Sequence, residues 1–422
     1  MSRIKRYTIR SLLVLVAMVA IGIGFFAVRN WLAGRRVESK LAAIRDNHQP
    51  VVLADLERQS IPPDKNAITY LRRAREGVEA LQAEWQPLYD DPVVAALLSE
   101  NHPNDQSLQV IAASFEAYPS VIPLLEKAAR CPNYDSQLDC SVTSNEFLQN
   151  LMKHVQFQRQ VARTLRFWAL LQAARNNPDG AINACTWMLR LARHYDSDPM
   201  IVARLVGIAC RSLAIETANS ILQCCTTSAA ARTALRDELQ MHESNDPFTH
   251  TLVTERAFGI TYLQELPGQV SFTASLTEGY LDVLETQIAH ANSVYTDKTA
   301  EEATSQAFHS ASTFGQLLMP AIQAWRDAEF RARAEVRCLL VLLALQEHPK
   351  PGDKTAVQIE SLGLLHKVTT DPFDDSRLHV KKVANGWLVY SVGKDLKDGG
   401  GVFVNREDVG LGPSCLSTKA SK

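Results

Sequence analysis

The strongest hydrophobic pattern of the chain lies at its beginning. Residues 11–28 (SLLVLVAMVAIGIGFFAV) form a run of 18 residues without a charged side chain. A helix of that length rises about 27 Å, which is close to the hydrocarbon thickness of a bilayer. The pattern therefore predicts one transmembrane helix at residues 11–28. Beyond residue 40 the chain has the mixed polar and apolar pattern of a protein that folds in water.

The residues that flank this run predict its orientation. Four Lys or Arg residues precede the run and four follow it, so the positive-inside rule gives a tie. The N-terminal cluster lies closer to the run, and a ten-residue tail need not cross the membrane. We expect a single-pass protein of the inner (cytoplasmic) membrane with its N-terminus inside and the bulk of the chain extracytoplasmic. The alternative is a cleaved secretory signal, although the apolar run is long for one and no clear small-x-small cleavage site precedes the polar region.

Helical periodicity dominates the middle of the chain. From residue 66 to residue 347 apolar residues recur three and four positions apart, with Pro or Gly at most joints. We expect a mainly α-helical domain, folded as an irregular bundle or as a tetratricopeptide-like array, although a regular recurrence of about 34 residues is missing. The predicted helices are 66–86, 92–101, 106–130, 144–176, 179–196, 199–225, 228–243, 247–264, 270–296 and 313–347.

Several polar positions carry specific expectations. Asp179, after an Asn-Asn-Pro turn, is predicted to cap the next helix, and Asp198, before a proline, is predicted to cap the helix after it. The Arg, Asp and Glu residues of 326–337 are predicted to form a solvated, paired helix face. His242 and His250 are expected to be surface or capping residues, because nothing around them forms a metal-ligand pattern.

The pattern changes after residue 353. Residues 377–383 alternate with period two, Asn385-Gly386 is a strong hairpin signal, and residues 387–392 form a second strand. A small C-terminal β-hairpin module is therefore predicted. The expected organisation is a basic cytoplasmic tail (1–10), a transmembrane helix (11–28), a stalk and linker (29–65), an α-helical domain (66–348), a linker (349–369), the hairpin tail (370–412) and a disordered C-terminus (413–422).

Charge and cysteine content narrow the function classes. The net charge is −2, and residues 1–40 contribute +7 of it, so the rest of the chain is acidic at −9. An acidic bulk argues against nucleic acid as a partner. Among the eight cysteines, Cys131 and Cys140 flank a turn-rich loop and are the candidate disulfide, the alternative being two unpaired thiols. Cys185, Cys210 and Cys338 lie in apolar helical runs and are expected to pack in the core.

Known catalytic motifs are missing from the sequence. It contains no HExxH, no GxSxG, no P-loop and no GxGxxG after a strand. No residue is therefore predicted to be catalytic and no cofactor is predicted from the motifs.

About the first 80 residues resemble a group of uncharacterised planctomycete envelope proteins. Residues 10–16 (RSLLVLV) match the R-[ST]-L-L-V-L-V start of their anchors, and residues 41–56 resemble their LAAIR…PVTLADL stretch. A later stretch, LRLARHY at residues 189–195, is similar to their LLRLARHL. The resemblance implies a membrane-anchored α-helical protein and brings no known activity.

The C-terminal tail resembles the tail of type II secretion major pseudopilins. The matching positions are Asp371-Pro372-Phe373, Gly386-Trp387, Tyr390-Ser391, Gly393, Asp395 and Asp408. In that family the loop holds a calcium ion, so the resemblance implies a calcium site whose carboxylates are Asp395, Asp398 and Asp408. Leu396, in place of the usual glycine, and a lengthened loop depart from the family pattern; an acidic surface hairpin is the alternative.

These observations favour a non-enzymatic, membrane-anchored scaffold or protein-interaction module of the bacterial envelope, with envelope proteins as partners. The tail suggests an accessory component of a secretion or pseudopilus-like system as an alternative. A third possibility is an enzyme of unrecognised type with a site between helices. A deep polar cleft with perturbed pKa values favours the enzyme, and a smooth apolar groove favours binding.

Overall fold

The computed structural model describes residues 2–101, 103–244, 248–266, 273–291, 293–310, 313–347, 359–383, 386–403 and 407–413. The protein is mainly helical (72%) and ends in a small antiparallel sheet. The helices are α1 Ser2–Asp46, α2 Ala67–Asp90, α3 Pro92–Ser99, α4 Asp105–Ala117, α5 Val121–Arg130, α6 Ser144–Ala174, α7 Pro178–Tyr195, α8 Ile201–Cys224, α9 Ala229–Ser244, α10 Phe248–Glu265, α11 Thr273–Ala289, α12 Lys298–Ser310, α13 Thr313–Glu347 and α14 His366–Thr369. The strands are β1 His379–Val383, β2 Gly386–Ser391 and β3 Val409–Leu411.

Most predicted helices are present within a few residues of their expected ends. The segment 106–130 is two helices rather than one, because the chain bends by 81° between α4 and α5 at Pro119. Helix α12 was not predicted. The helices are not confirmed as a tetratricopeptide-like array.

Helices α6, α7 and α8 form the centre of the main hydrophobic core. Helices α6 and α8 carry buried apolar residues on several faces, so the contrast between their polar and apolar faces is weak. Around them α2 contributes Trp85, whose ring meets Phe167 edge-on at 4.8 Å and Phe115 at 5.4 Å. Cys185, Cys210 and Cys338 are buried, as predicted.

Helix α1 is continuous from the apolar run into the protein domain. Among the described residues it is the one single helix that is long and apolar enough to span a membrane, a test that N-terminal signal sequences also pass. Its apolar part is exposed, but Ala33 and Ile44 further along are buried. Ile44 and Val51 join a second core built mainly from α10, α11 and α13. The segment expected to be a stalk is thus packed against the domain.

A network of buried ion pairs links α8 to α13. Arg204 donates to Glu329 at 2.9 and 2.6 Å and also pairs with Asp196. Arg337 donates to Glu243 at 2.7 Å. The prediction that the charges of 326–337 form a solvated face is therefore wrong for Glu329 and Arg337, because both are buried and their partners lie on α8 and α9.

The C-terminal strands form one sheet in the order β1-β2-β3. Strands β1 and β2 pair antiparallel with His379 opposite Tyr390, which confirms the predicted hairpin, and β3 was not predicted. Strands β2 and β3 pack on α13, and Val389 and Leu411 belong to the main core. Asn385 and residues 414–422 lie outside the described residues.

Candidate functional site

The helical domain contains an open cleft of about 710 Å³. Four separate chain segments form it: residues 50–60, the loop 135–141, the start of the α8 segment at Pro199, and α10. Polar side chains line much of it. Its charged or ionisable lining residues are Asp55, Glu57, Arg58, Asp135, Asp139 and His250. Carboxylates outnumber guanidinium groups here, so the cleft carries net negative charge.

A buried polar cluster adjoins this cleft. It consists of Tyr134 from the loop, His154 and Gln158 from α6, and Asp198 from the α7–α8 turn; we call it the Asp198 cluster. One oxygen of Asp198, Oδ2, accepts from Gln158 Nε2 at 2.6 Å and from Tyr134 Oη at 3.0 Å. His154 Nε2 lies 3.1 Å from the same oxygen. The cluster therefore ties α6, the cleft loop and the α7–α8 turn together.

The cluster favours an ionised carboxylate. Burial alone would raise the pKa of Asp198, yet the pKa is lowered because His154, the Ser136 hydroxyl and the Gln158 amide outweigh burial. Ser136 also lines the cleft, so it connects the cluster to the cavity wall. Burial and the Asp198 charge raise the pKa of Tyr134, which keeps that phenol protonated. Asp198 Oδ1 is buried and has no hydrogen-bond partner among the described residues.

The turn that carries Asp198 is strained. Met200 has φ +76° and ψ 150°, a conformation that non-glycine residues rarely adopt. Two α10 side chains hold it: Met200 N donates to Thr254 Oγ1 at 3.0 Å, and Ile201 N donates to Glu255 Oε2 at 2.9 Å. Burial raises the pKa of Glu255. The floor of the cleft is thus fixed by long-range bonds from α10.

The predicted capping roles of two aspartates are wrong. Helix α7 is capped by Asn177, whose side chain accepts from Gly180 N at 3.1 Å, and Asp179 instead accepts from Ser228 N ahead of α9. Asp198 caps no helix, because its carboxylate is drawn into the buried cluster. The Asp-Pro dipeptide signals a helix start, and no local signal distinguishes a cap from a buried anchor.

The expectations for the two histidines differ in outcome. His242 was expected at the surface or at a cap but is buried, with Nε2 donating to Leu189 O at 2.9 Å. Burial holds its pKa well below the usual value. His250 is at the surface and lines the cleft. Sequence reasoning missed Tyr134, His154 and Gln158, since they meet only when α6, α7 and the loop pack together.

The carboxylates assigned to calcium have separate hydrogen-bond roles. Asp408 accepts from Gly399 N, Gly401 N and Val402 N at 3.1, 2.7 and 3.0 Å. Asp398 accepts from Gly400 N and Tyr390 Oη, and Asp395 accepts from Lys397 N. Within the described ranges no three His, Cys, Asp or Glu side chains are grouped so that they could hold a metal ion. The calcium site stays a prediction.

The two candidate disulfide cysteines are free thiols here, both half-buried. Cys140 lines the cleft, and burial raises its pKa to about 11. Burial also raises the pKa of Cys131. The thiolate is the reactive form, so both side chains are poor nucleophiles at neutral pH. Their pairing stays a prediction.

Comparison of the chain with protein-family models, with curated proteins and with solved structures finds no match in any of the three. The resemblances to planctomycete envelope proteins and to pseudopilin tails therefore stay predictions.

Proposed function

We propose that this protein is a non-enzymatic, membrane-anchored interaction module of the bacterial envelope, and that the cleft is its contact site for a partner protein. The observation that carries the proposal is the cleft of about 710 Å³, whose walls come from four chain segments. Its floor and one wall are fixed by the Asp198 cluster and by the α10 side chains. A preformed surface binds with a small entropy cost, because little of it has to be ordered on binding.

The charge of the cleft indicates the kind of partner segment. Glu57 and Asp139 are exposed at its rim, whereas the guanidinium of Arg58 donates a hydrogen bond to the Ser197 carbonyl oxygen. A partner segment with Lys or Arg side chains would complement these carboxylates, which favours encounter and register more than raw affinity. We further propose that the N-terminus faces the cytoplasm and that the cleft lies outside the inner membrane.

Site-specific photo-crosslinking in living cells tests the proposal. A photoreactive residue replaces Gln137, an exposed residue of the cleft wall, and Glu84, an exposed α2 residue outside the cleft, serves as the control. We expect discrete adducts from position 137 alone, and we expect Asp139→Lys to weaken them. Adducts of equal pattern from both positions, or adducts indifferent to the charge reversal, would contradict the proposal.

An enzyme is the second candidate function, favoured by the buried Tyr134–His154–Asp198 contacts behind Ser136. Such a site would supply a polarised hydroxyl and an ionised carboxylate next to a polar cleft. The test is a panel of chromogenic ester, phosphoester and glycoside substrates with purified full-length protein. Turnover that disappears in Ser136→Ala, at an unchanged melting temperature, would favour the enzyme over the interaction module.

A further inference from the structure

The helical domain is attached directly at the end of the apolar run. Ala33, about one and a half turns after residue 28, is already buried. Helix α11 runs parallel to α1, since Arg36 pairs with Glu278 and Lys40 with Asp282 at the same sequence offset. A Cβ at Gly34 would lie 3.9 Å from the side chain of Ala274, at the start of α11. The start of α11 therefore lies beside the part of α1 that directly follows the apolar run.

The four cations that follow the apolar run fall into two pairs. Arg36 and Lys40 face α11 and are neutralised by its carboxylates. Arg29 and Arg35 are exposed and have no carboxylate partner within the described part of the chain. The guanidinium of Arg35 lies over the ring of Trp31 at 5.1 Å, and Trp31 is 59% exposed. Trp31 and Arg35 lie on the side of α1 opposite Arg36 and Lys40. Arg29 lies on the same face as Arg36 but two turns before it, ahead of the start of α11.

We propose that Arg29 and Arg35 bind the headgroups of anionic phospholipids, with Trp31 positioning Arg35 at the bilayer surface. The inference rests on the membrane anchor of the proposed function and deepens it. A guanidinium suits a phosphate because its planar N–H groups pair with two oxygens. Tryptophan suits the same depth because one edge of its ring is polar and its face is apolar. The contact seats the domain against the membrane.

Electron paramagnetic resonance of spin-labelled lipids tests this contact. Full-length protein is reconstituted in vesicles of phosphatidylcholine with 20% phosphatidylglycerol, and the selectivity for the anionic over the zwitterionic label is measured. We expect the wild type to prefer phosphatidylglycerol. In the double variant Arg29→Gln/Arg35→Gln we expect the selectivity ratio of anionic to zwitterionic label to fall at least about five-fold. The matched control, Arg36→Gln/Lys40→Gln, removes the same charge from the same helix and is expected to keep the preference.

The outcomes separate this inference from the proposed function. An equal loss in both double variants, or no preference in the wild type, would overturn the headgroup site. Extraction of the wild-type protein by alkaline carbonate would overturn the anchor and the headgroup site together. Carbonate resistance with unchanged lipid selectivity in Arg29→Gln/Arg35→Gln would overturn the headgroup site alone. Melting temperatures of all variants check folding.

Discussion

Asp198 shows how one buried residue organises the wall of the cleft. Its Oδ2 accepts from Gln158 and Tyr134, while His154 lies at 3.1 Å. These bonds join a helix, a loop and a turn that are distant in sequence. An amide in its place is uncharged and has one acceptor oxygen instead of two, so the hydrogen bonds from these buried donors become weaker.

Asp198→Asn is therefore expected to lower the free energy of unfolding by about 3 kcal/mol at pH 7. Because the folded pKa of Asp198 is lowered, its stabilisation is present above about pH 4 and is lost as the pH falls through the folded pKa. Urea unfolding followed by tryptophan fluorescence measures the loss. Asp90→Asn, at an exposed site, is the control and should change stability by less than about 0.5 kcal/mol. An equal effect in both variants would show that the cluster is not a structural anchor.

The pKa of Glu335 is shifted in the opposite direction to that of Asp198. Burial raises its pKa to about 7, even though Ser212 Oγ donates to it at 2.5 Å. A carboxyl group with a raised folded pKa binds more protons folded than unfolded, so stability falls as the pH rises from about 4.5 to about 7. Above that range the ionised carboxylate destabilises the folded state to its full extent.

Glu335→Gln is expected to raise the melting temperature at pH 8 and to have little effect at pH 5. The gain at pH 8 is about 2 kcal/mol, less than the full pKa shift implies, because part of the side chain reaches solvent. Thermal unfolding at both pH values checks this, and Glu84→Gln, at an exposed position of α2, is the control. A gain of equal size at pH 5 would refute the role of ionisation.

At the scale of elements, the tail loop depends on glycines with positive φ. Gly393 has φ +69°, and an added Cβ would lie 2.0 Å from the Glu407 carbonyl oxygen. Gly400 has φ +83°, but the nearest atom to an added Cβ there is the flexible Lys381 Nζ at 3.7 Å. The two positions share the backbone strain and differ in the space around them.

Gly393→Ala is expected to disrupt the loop that joins β2 to β3, whereas Gly400→Ala should cost only about 1–2 kcal/mol of backbone strain. Limited trypsin digestion within the tail distinguishes them, because Lys394 and Lys397 become susceptible when the loop opens. Comparable protection of both variants would contradict this account. Adding calcium to the wild type in the same assay tests the site predicted at Asp395, Asp398 and Asp408.

Over the whole molecule, the N-terminal helix contains both an apolar run long enough to span a membrane and residues of the second core. Its apolar part is exposed in the protein, with Ile21 71% and Phe25 70% exposed. In its later part Ala33 and Ile44 are buried, and Ile44 belongs to the second core. Deletion should therefore have different consequences on the two sides of residue 28.

Deletion of residues 1–28 is expected to release the protein from membranes without changing its melting temperature. Deletion of residues 1–46 removes Ala33, Ile44 and the ion pairs to α11, and should lower the melting temperature by several degrees, since each buried aliphatic side chain contributes about 1.5–3 kcal/mol. Differential scanning calorimetry of the two truncated proteins makes the comparison. Equal melting temperatures would mean that the second core does not need α1.

The sequence by itself determined the helical class, most helix positions and the hairpin. These features are local: the 3.6-residue periodicity, the prolines at the joints and the Asn-Gly turn act within a few residues. The apolar run at 11–28 was equally evident, because its length and lack of charge need no partner to be recognised.

Tertiary structure alone decided which polar residues are buried and what they contact. In the sequence Asp198 looks like a helix cap, but in the structure it joins the buried Asp198 cluster. The charged residues of α13 look like a solvated face, but Glu329 and Arg337 pair with residues of α8 and α9. Long-range hydrogen bonds and ion pairs have no sequence period, since their members come from helices far apart in the chain. The cleft follows the same rule, because four segments that share no motif form it only after the helices have packed.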